Sequence, residues 1–207
     1  MNVAEAVAAV HEAETAEAQL TLEVARLFPP QGQWTETAYF ALPDTNRYVE
    51  LSEGELIMPP HPTRSHQKAV EGLFVRLRTF VQDHELGEVH VAPLPVRLWP
   101  GKIREPDVLF VAREHSDRIG EQFFGVPDLV MEVTSSSTRR TDRVEKLVEY
   151  AQAEVEEYWI VDPEARTVEV FTLREGAYEA LGKWGTGETA RSALLAGFEV
   201  AVDEMMD

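Results

Sequence analysis

The sequence predicts a fold of the α/β or α+β class, in which a central β-sheet packs against two sizeable helices. Short apolar and β-branched runs recur from residue 47 to residue 202, which is the pattern of a series of strands. Two longer segments, 63–86 and 139–153, instead space their apolar residues as one face of a helix does. The length of 207 residues suits a single domain with a short appendage.

The N-terminal part of the chain is predicted to be helical before the first strands begin. Residues 1–20 are acidic and rich in alanine and glutamate, and we interpret them as a solvated or oligomer-contacting helix or tail. The domain itself is predicted to span 21–207, starting with a short helix at 21–28 that ends at two prolines. Residues 47–58 then predict two strands joined by a Ser-Glu-Gly turn.

The remaining elements mix strands with the two amphipathic helices. Strands are predicted at 88–98, 105–112, 128–134, 156–163 and 197–202, with a hairpin around "REGA" at 167–181. In the helix at 139–153, Val144, Leu147, Val148 and Ala151 share one face, which we expect to be buried.

The composition excludes several classes of protein. Cysteine is absent, which removes disulfides, thiolate metal sites and cysteine nucleophiles together. The sequence contains no apolar stretch near the ~20 residues that a membrane span needs. The acidic start of the chain lacks the basic region of a secretory signal, so a cytoplasmic protein is the default expectation.

The net charge of −18 bears directly on the choice of partner. Phosphate backbones favour basic proteins, because lysine and arginine release condensed counterions when they bind. Nucleic acid is therefore a poor partner on charge alone. Binding to it would require a local basic cluster, or metal ions that offset the acidic side chains.

One carboxylate stands inside an apolar run and requires an explanation. The segment "GVPDLVMEVTSSST" at 125–138 reads as a buried strand, yet Glu132 interrupts it. An ionised carboxylate that leaves water costs several kcal/mol or more unless something compensates its charge. A basic partner, a strand end that reaches solvent, or a metal ion could each do so.

A second acid and a lysine complete a set that suits phosphodiester hydrolysis. Asp107 opens the apolar strand of "REPDVLFV", and Lys146 lies on the helix that follows Glu132. Mg²⁺ prefers oxygen ligands and is typically held by one or two carboxylates, with water and substrate oxygens filling the other positions. A nearby lysine can orient the attacking water or stabilise charge on the phosphorus.

Each of these residues also has a purely structural interpretation. An aspartate after proline is a common turn residue, and Pro127-Asp128 repeats the dipeptide. Lys146 follows Asp142 by four positions, which would suit a surface ion pair, and its helical angle lies away from the apolar face. Glu55, at the start of a strand, would be an exposed strand carboxylate.

Other chemistries are less well supported by the sequence. His61 and His66 are not spaced as a helical zinc motif requires, and no glycine-rich phosphate loop is present. The serines of "TSSST" lack the G-x-S-x-G pattern of a nucleophile elbow. Their position favours a link from the strand to the next helix, with one of them capping the helix N-terminus.

Five motifs in this order resemble the Uma family of restriction-endonuclease-like nucleases, which belongs to the PD-(D/E)XK superfamily. The resemblance covers residues 20–202, and its motifs are "RYVELSEGELIMPPHPTRSHQ", "REPDVLFV", "GVPDLVMEVTSSST", "DRVEKLVEYAQAEVEEYWIVDP" and "TVEVF". It implies a restriction-endonuclease-like fold, in which a central mixed sheet is flanked by helices and preceded by a β-rich extension. It also implies a nuclease site that uses Mg²⁺ or Mn²⁺.

The resemblance assigns roles to individual residues. Asp107 corresponds to the acid of the "PD" element and Glu132 to the second acid, so that both would hold the metal. Glu55 resembles the upstream glutamate of the "GEL" element, an additional metal ligand or site-shaping residue. The superfamily lysine would fall at Thr134, and Lys146 would replace it from the following helix.

DNA would be the substrate on this interpretation, with a local basic rim to receive it. The residues expected to form that rim are Arg104, Arg139, Arg140 and Arg143. A homodimer is expected, because cutting both strands of a duplex often uses two sites. Two alternatives remain open: a non-catalytic oligomerising or regulatory module on a nuclease scaffold, and a hydrolase of another phosphoester such as RNA.

Overall fold

A computed structural model describes residues 28–42 and 48–206 of the chain. The segment predicted at 1–20 lies outside these residues, as does all but Phe28 of the helix predicted at 21–28. The four α-helices of the described part are α1 (Glu36–Phe40), α2 (Arg64–Asp83), α3 (Lys146–Gln152) and α4 (Val202–Met206). A 3₁₀ helix covers Arg113–Arg118, and a π-helical turn, Thr141–Glu145, leads directly into α3.

The centre of the molecule is a mixed sheet of six strands, which agrees with the central mixed sheet that the family resemblance implies. Its strands are β3 (Gly87–Val91), β6 (Val108–Ala112), β7 (Leu129–Val133), β8 (Glu157–Asp162), β9 (Thr167–Arg174) and β10 (Ala177–Trp184), in the order β10-β9-β8-β7-β6-β3. Strands β7 and β8 are parallel, and every other pair in this sheet is antiparallel. Parallel neighbours need a crossover connection, and the π-helical turn with α3 provides it.

Two smaller sheets accompany the central one. The first has the order β2-β1-β5-β4, and its strands are β1 (Glu50–Ser52), β2 (Glu55–Ile57), β4 (Val96–Trp99) and β5 (Lys102–Arg104). The second pairs β11 (Thr189–Arg191) with β12 (Glu199–Ala201). The first small sheet contains the hairpin predicted at 47–58 and forms the β-rich extension.

The central sheet is covered on both faces, which explains why its strands read as nearly continuous apolar runs. Helix α2 covers one face, where its buried Leu73 and Leu77 join a core with Met131 and Trp159. Tyr150 of α3 belongs to the core on the other face. Successive strand residues point to opposite faces, so Val130 and Glu132 of β7 share the face that α3 covers.

The structure divides one predicted strand and adds others. The strand predicted at 88–98 is interrupted between β3 and β4, where Pro93 and Pro95 lack the N–H that a ladder needs. Strands β5 and β11 are too short to stand out in the sequence. In the described part of the chain, no helix is long and apolar enough to cross a membrane.

The buried face of the helix at 139–153 differs from the prediction. Val144 and Val148 are 55% and 59% exposed, whereas Asp142, Lys146 and Tyr150 are buried. The prediction assumes an ideal α-helix, but the π-helical turn at its start carries an extra residue and changes the angular positions. The helix therefore presents a partly polar stripe to the sheet.

We expect loss of the Glu157 carboxylate to destabilise the fold. Glu157 is fully buried and accepts hydrogen bonds from Trp159 Nε1 (2.7 Å), Ser192 Oγ (2.7 Å) and the backbone N–H groups of Ala193 (2.6 Å) and Leu194 (2.9 Å). Glu157→Ala would leave these donors without their acceptor, at a cost on the order of 4 kcal/mol. Urea unfolding measures the loss.

The neighbouring residue provides a matched control for this prediction. Glu156 is exposed, so Glu156→Ala should change the free energy of unfolding by less than about 0.5 kcal/mol. Equal losses in the two variants would show that the hydrogen bonds of Glu157 contribute little to stability.

Candidate active site

A cavity of about 210 Å³ lies at the carboxyl end of β7, next to the first turn of α2. Asp107, Glu132 and Lys146 all line it. The sheet register brings the two acids to this end, because β6 and β7 are antiparallel and pair Val108 with Met131. Asp107 directly precedes Val108, and Glu132 directly follows Met131, so both acids lie just beyond this pair at the same end of the sheet. The predicted carboxylates therefore lie in one cavity with the lysine.

Glu132 is buried against a basic partner and a phenol. Its Oε1 accepts hydrogen bonds from Lys146 Nζ and from the Tyr150 hydroxyl, both at 2.7 Å. Burial raises the pKa of the Glu132 carboxyl above its usual value, and the Lys146 ammonium offsets part of that rise. Of the three ways to compensate this charge, the structure itself shows the basic partner.

Lys146 is enclosed by acids. Its Nζ lies 2.7 Å from Glu132, 3.5 Å from Asp142 and 3.7 Å from Glu50, and these three carboxylates are all buried. Burial opposes the charge of Lys146, but the surrounding carboxylates outweigh that effect and raise its pKa. The ion pair between Lys146 and Asp142, which their spacing of four residues predicts, is present. It lies in the interior, however, and not at the surface.

Asp107 is fixed by the neighbouring strand and by His66, a residue considered in the sequence only as a zinc ligand. Its Oδ2 accepts a hydrogen bond from Val133 N at 2.7 Å and lies 3.2 Å from His66 Nε2. Thr63 caps α2 and accepts from the His66 N–H, which sets the first turn of that helix. His66 lies one helical turn before Val70, on the face of α2 that is buried. A polar residue on an otherwise apolar helix face is the sequence signal that could have identified His66.

The loop after β7 forms another part of the cavity wall. Ser135 and Thr138 cap each other, since Ser135 Oγ accepts from the Thr138 N–H and Thr138 Oγ1 accepts from the Ser135 N–H. This agrees with the predicted link from strand to helix. Ser136 and Ser137, between them, also line the cavity.

Glu55 and Arg104, which are predicted to belong to the site, do not line the cavity. Glu55 is exposed on β2, away from the cavity wall. Arg104 is only 1% exposed, and its guanidinium binds Glu50 at 2.6 Å and Glu149 at 2.8 Å. The structure instead brings Glu50 of β1 close to Lys146. Glu50 stands between Val49 and Leu51, so it carries the same signal as Glu132, a carboxylate in an apolar run.

The other three arginines of the predicted basic rim lie outside the cavity wall, within the part of the chain that the structure describes. Arg139 pairs with Asp162 at 3.2 Å and Glu164 at 2.9 Å. Arg143 pairs with Glu169 at 2.6 Å, and Arg140 is exposed. Acidic partners therefore neutralise much of the positive charge that the sequence places near the site.

A third carboxyl group extends the acidic wall of the cavity. Glu105 is buried, and its Oε1 accepts a weak hydrogen bond from the Tyr39 hydroxyl at 3.4 Å. Its Oε2 has no hydrogen-bond partner among residues 28–42 and 48–206. Burial, assisted by the charge of Glu50, raises the pKa of Glu105 to about 7. The cavity thus holds more acidic groups than basic ones.

The side chains offer part of a metal site rather than a complete one. Within residues 28–42 and 48–206, no three His, Asp or Glu side chains form a group that could hold a metal ion. Mg²⁺ does not require three, because it commonly uses one or two carboxylates and keeps water or substrate oxygens as its other ligands. Asp107 and Glu132 supply such a pair, so the donors present fit a hard divalent cation.

Comparisons with known proteins identify the family and the fold. Residues 36–203 match the model of a family described as "Uma2: Putative restriction endonuclease". The fold is similar to the crystal structure of a protein from Anabaena variabilis ATCC 29413, described as "a putative nuclease belonging to DUF820". That similarity has a TM-score of 0.69 at 16% identity and covers 84% of this chain and 97% of the other. Curated proteins provide no match.

Proposed function

Because the chain belongs to the Uma2 family of restriction-endonuclease-like nucleases, we propose that it hydrolyses DNA phosphodiester bonds with a divalent cation. The observation that carries this proposal is the meeting of Asp107, Glu132 and Lys146 at one cavity. These residues come from two strands and the following helix. The proposal assigns the first two to the metal and the third to the phosphate or the attacking water.

Asp107 and Glu132 would hold Mg²⁺ or Mn²⁺ with their carboxylate oxygens. Both face the cavity, and the acids around it are balanced only in part by Lys146. When bound, such a cation polarises a phosphoryl oxygen and lowers the pKa of a coordinated water. The hydrogen bond from Val133 N and the contact with His66 keep Asp107 oriented toward the cavity.

Lys146 is positioned to act on the developing negative charge. Its ammonium projects from α3 into the same cavity, and its stem is held by packing rather than exposed to solvent. A donor fixed before the reaction stabilises a developing oxyanion without a reorganisation cost. Lys146 can therefore donate a hydrogen bond to a phosphate oxygen or orient the water that attacks phosphorus.

We assign phosphate contact outside the cavity to Arg140, with the neighbouring Arg139 and Arg143. Arg140 is exposed, whereas the other two are partly occupied by acidic partners. Each phosphate neutralised adds about −0.9 to the slope of log affinity against log salt for duplex DNA. Because few positively charged side chains are available for phosphate contact, we expect DNA affinity to depend only weakly on salt. The divalent cation would supply much of the attraction to DNA.

Cleavage of supercoiled plasmid tests the proposed function directly. We expect nicked circles with Mg²⁺ or Mn²⁺ and none after EDTA is added. Linear product in addition to nicked circles would indicate two copies acting together, as in a homodimer. A protein that leaves plasmid intact with both metals but cleaves RNA would contradict DNA as the substrate. Failure on both nucleic acids would favour a non-catalytic module.

Cation binding should also be visible without any substrate. A ligand at 100 times its dissociation constant stabilises the native state by about 2.7 kcal/mol. We expect saturating Mn²⁺ to raise the melting temperature of the wild type and to leave that of Asp107→Asn unchanged. The introduced amide retains an oxygen that can accept the hydrogen bond from Val133 N, so the fold should survive. Equal stabilisation of both proteins would place the cation elsewhere.

A further inference from the structure

The environment of Lys146 contains more acceptors than a single salt bridge needs. Glu132 holds its ammonium at 2.7 Å, while Glu50 and Asp142 stand farther away, at 3.7 Å and 3.5 Å. We propose that Glu50 is a positioning residue that keeps Lys146 in the cavity when Glu132 engages a cation. This inference rests on the proposed function of the site.

Glu50 is itself held firmly. Its Oε2 accepts a hydrogen bond from Arg104 Nη1 at 2.6 Å, and its Oε1 accepts one from Glu105 N at 3.2 Å. Arg104 also binds both oxygens of Glu149, which lies on α3 three residues after Lys146. Glu50 is therefore linked to the helix that carries Lys146 through one buried and one partly buried ion pair, which connect the first small sheet to α3.

The same contacts make Glu50 a poor metal ligand. Both of its oxygens already accept hydrogen bonds, and one of them faces a guanidinium. Asp107 and Glu132 differ in this respect, because each lines the cavity with one oxygen engaged in the contacts that hold it. Glu50 does not line the cavity. Its Oε1 lies 3.7 Å from Lys146 Nζ, outside the cavity wall.

Repulsion between a bound cation and the Lys146 ammonium explains why the lysine needs a second carboxylate partner. A cation bound by Glu132 would repel the ammonium, and Glu132 could no longer serve as its main partner. Glu50 supplies an opposing attraction from outside the cavity wall, whereas Asp142 lines the cavity itself. Displacement of a catalytic group by about 1 Å can cost about a hundredfold in rate, so holding the ammonium in place matters for turnover.

The position of Lys146 can be followed by nitrogen NMR of its side-chain ammonium, without measuring activity. The signal is assigned by its loss in Lys146→Arg. We expect the wild type to keep this signal when Mg²⁺ is added, because Glu50 still attracts the ammonium from outside the cavity wall. In Glu50→Gln the signal should vanish with Mg²⁺ through fast exchange with water. The exposed Glu55→Gln, on the same hairpin, should behave as the wild type.

Kinetics separate positioning from metal binding. Glu50→Gln should lower kcat between about tenfold and about a hundredfold, while the Mn²⁺ dissociation constant from calorimetry stays within about threefold of the wild type. Should Glu50→Gln fail to fold, Glu50→Asp keeps a carboxylate that can balance Arg104 but shortens the side chain, which weakens the already long 3.7 Å contact with Lys146, and the same changes are expected. Unchanged kcat and an unchanged ammonium signal in Mg²⁺ would overturn the proposal.

The two experiments also distinguish this inference from the proposed function. If the wild type cuts no nucleic acid, the ammonium signal still reports whether Glu50 retains Lys146 in the presence of Mg²⁺. If cutting is normal but Glu50→Gln behaves as Glu55→Gln in both experiments, the positioning role is wrong and the nuclease function stands. A large loss of Mn²⁺ affinity in Glu50→Gln would instead make Glu50 a metal ligand and overturn its positioning role.

Discussion

Glu132→Gln should reduce the rate of DNA cleavage by about a thousandfold, which corresponds to about 4 kcal/mol of transition-state stabilisation. The substitution preserves shape and keeps an oxygen for the hydrogen bond from Tyr150. It removes the charge that, in our proposal, binds the cation beside the scissile phosphate. Single-turnover cleavage of plasmid at saturating Mn²⁺ measures the effect.

Glu164→Gln provides the matched control. Glu164 also lines the cavity, but it lies at the exposed side of it and pairs with Arg139. Its loss should change the rate by less than about threefold, since it removes one solvent-screened interaction. Comparable losses in the two variants would mean that general acidity of the cavity, and not the Glu132 carboxylate, supports cleavage.

Lys146→Met should combine a catalytic loss with a loss of stability. Methionine fills a similar volume but removes the ammonium, so we expect the cleavage rate to fall by about a hundredfold or more. Without metal, the variant leaves Glu132 buried without its basic partner. Breaking a buried pair in this way costs roughly 3–5 kcal/mol. Urea unfolding in EDTA measures the second effect.

Manganese ions should reverse part of the instability of Lys146→Met. A cation held by Asp107 and Glu132 would compensate the charge that the lysine no longer balances, so added Mn²⁺ should stabilise this variant more than it stabilises the wild type. Lys183→Met is the control, because Lys183 is 59% exposed and pairs with Glu169 at the surface. If Mn²⁺ stabilises Lys146→Met no more than this control, the cation does not bind at Glu132.

The sequence predicts the central acids of the cavity because burial makes a charge conspicuous. Glu132 interrupts an apolar strand, and the structure indeed buries it on a face shared with Val130. Asp107 takes its assignment from the "PD" element of the family resemblance, and the antiparallel register seen in the structure brings it to the same end of the sheet. The fold class follows from equally local patterns, whereas the mixed character of the central sheet is implied by the family resemblance.

The surroundings of these acids depend on contacts that the sequence does not display. Arg104 is predicted to face DNA, yet it pairs with Glu50 and Glu149, which are 54 and 45 positions away. Helical periodicity also predicts the wrong orientation for Lys146, away from the buried face. The π-helical turn before α3 changes which residues of the helix face the sheet. The resemblance to a motif favours Glu55 over Glu50, although Glu50 sits in the more apolar context.

Anomalous scattering from a crystal soaked in Mn²⁺ would show whether Asp107 and Glu132 hold a cation together. We expect one manganese peak in the cavity, within coordination distance of the carboxylates of both Asp107 and Glu132, with Lys146 still facing it. A crystal of Asp107→Asn soaked in the same way should lack that peak. Manganese bound at another place, or an empty cavity at a concentration that supports cleavage, would contradict the proposed metal site.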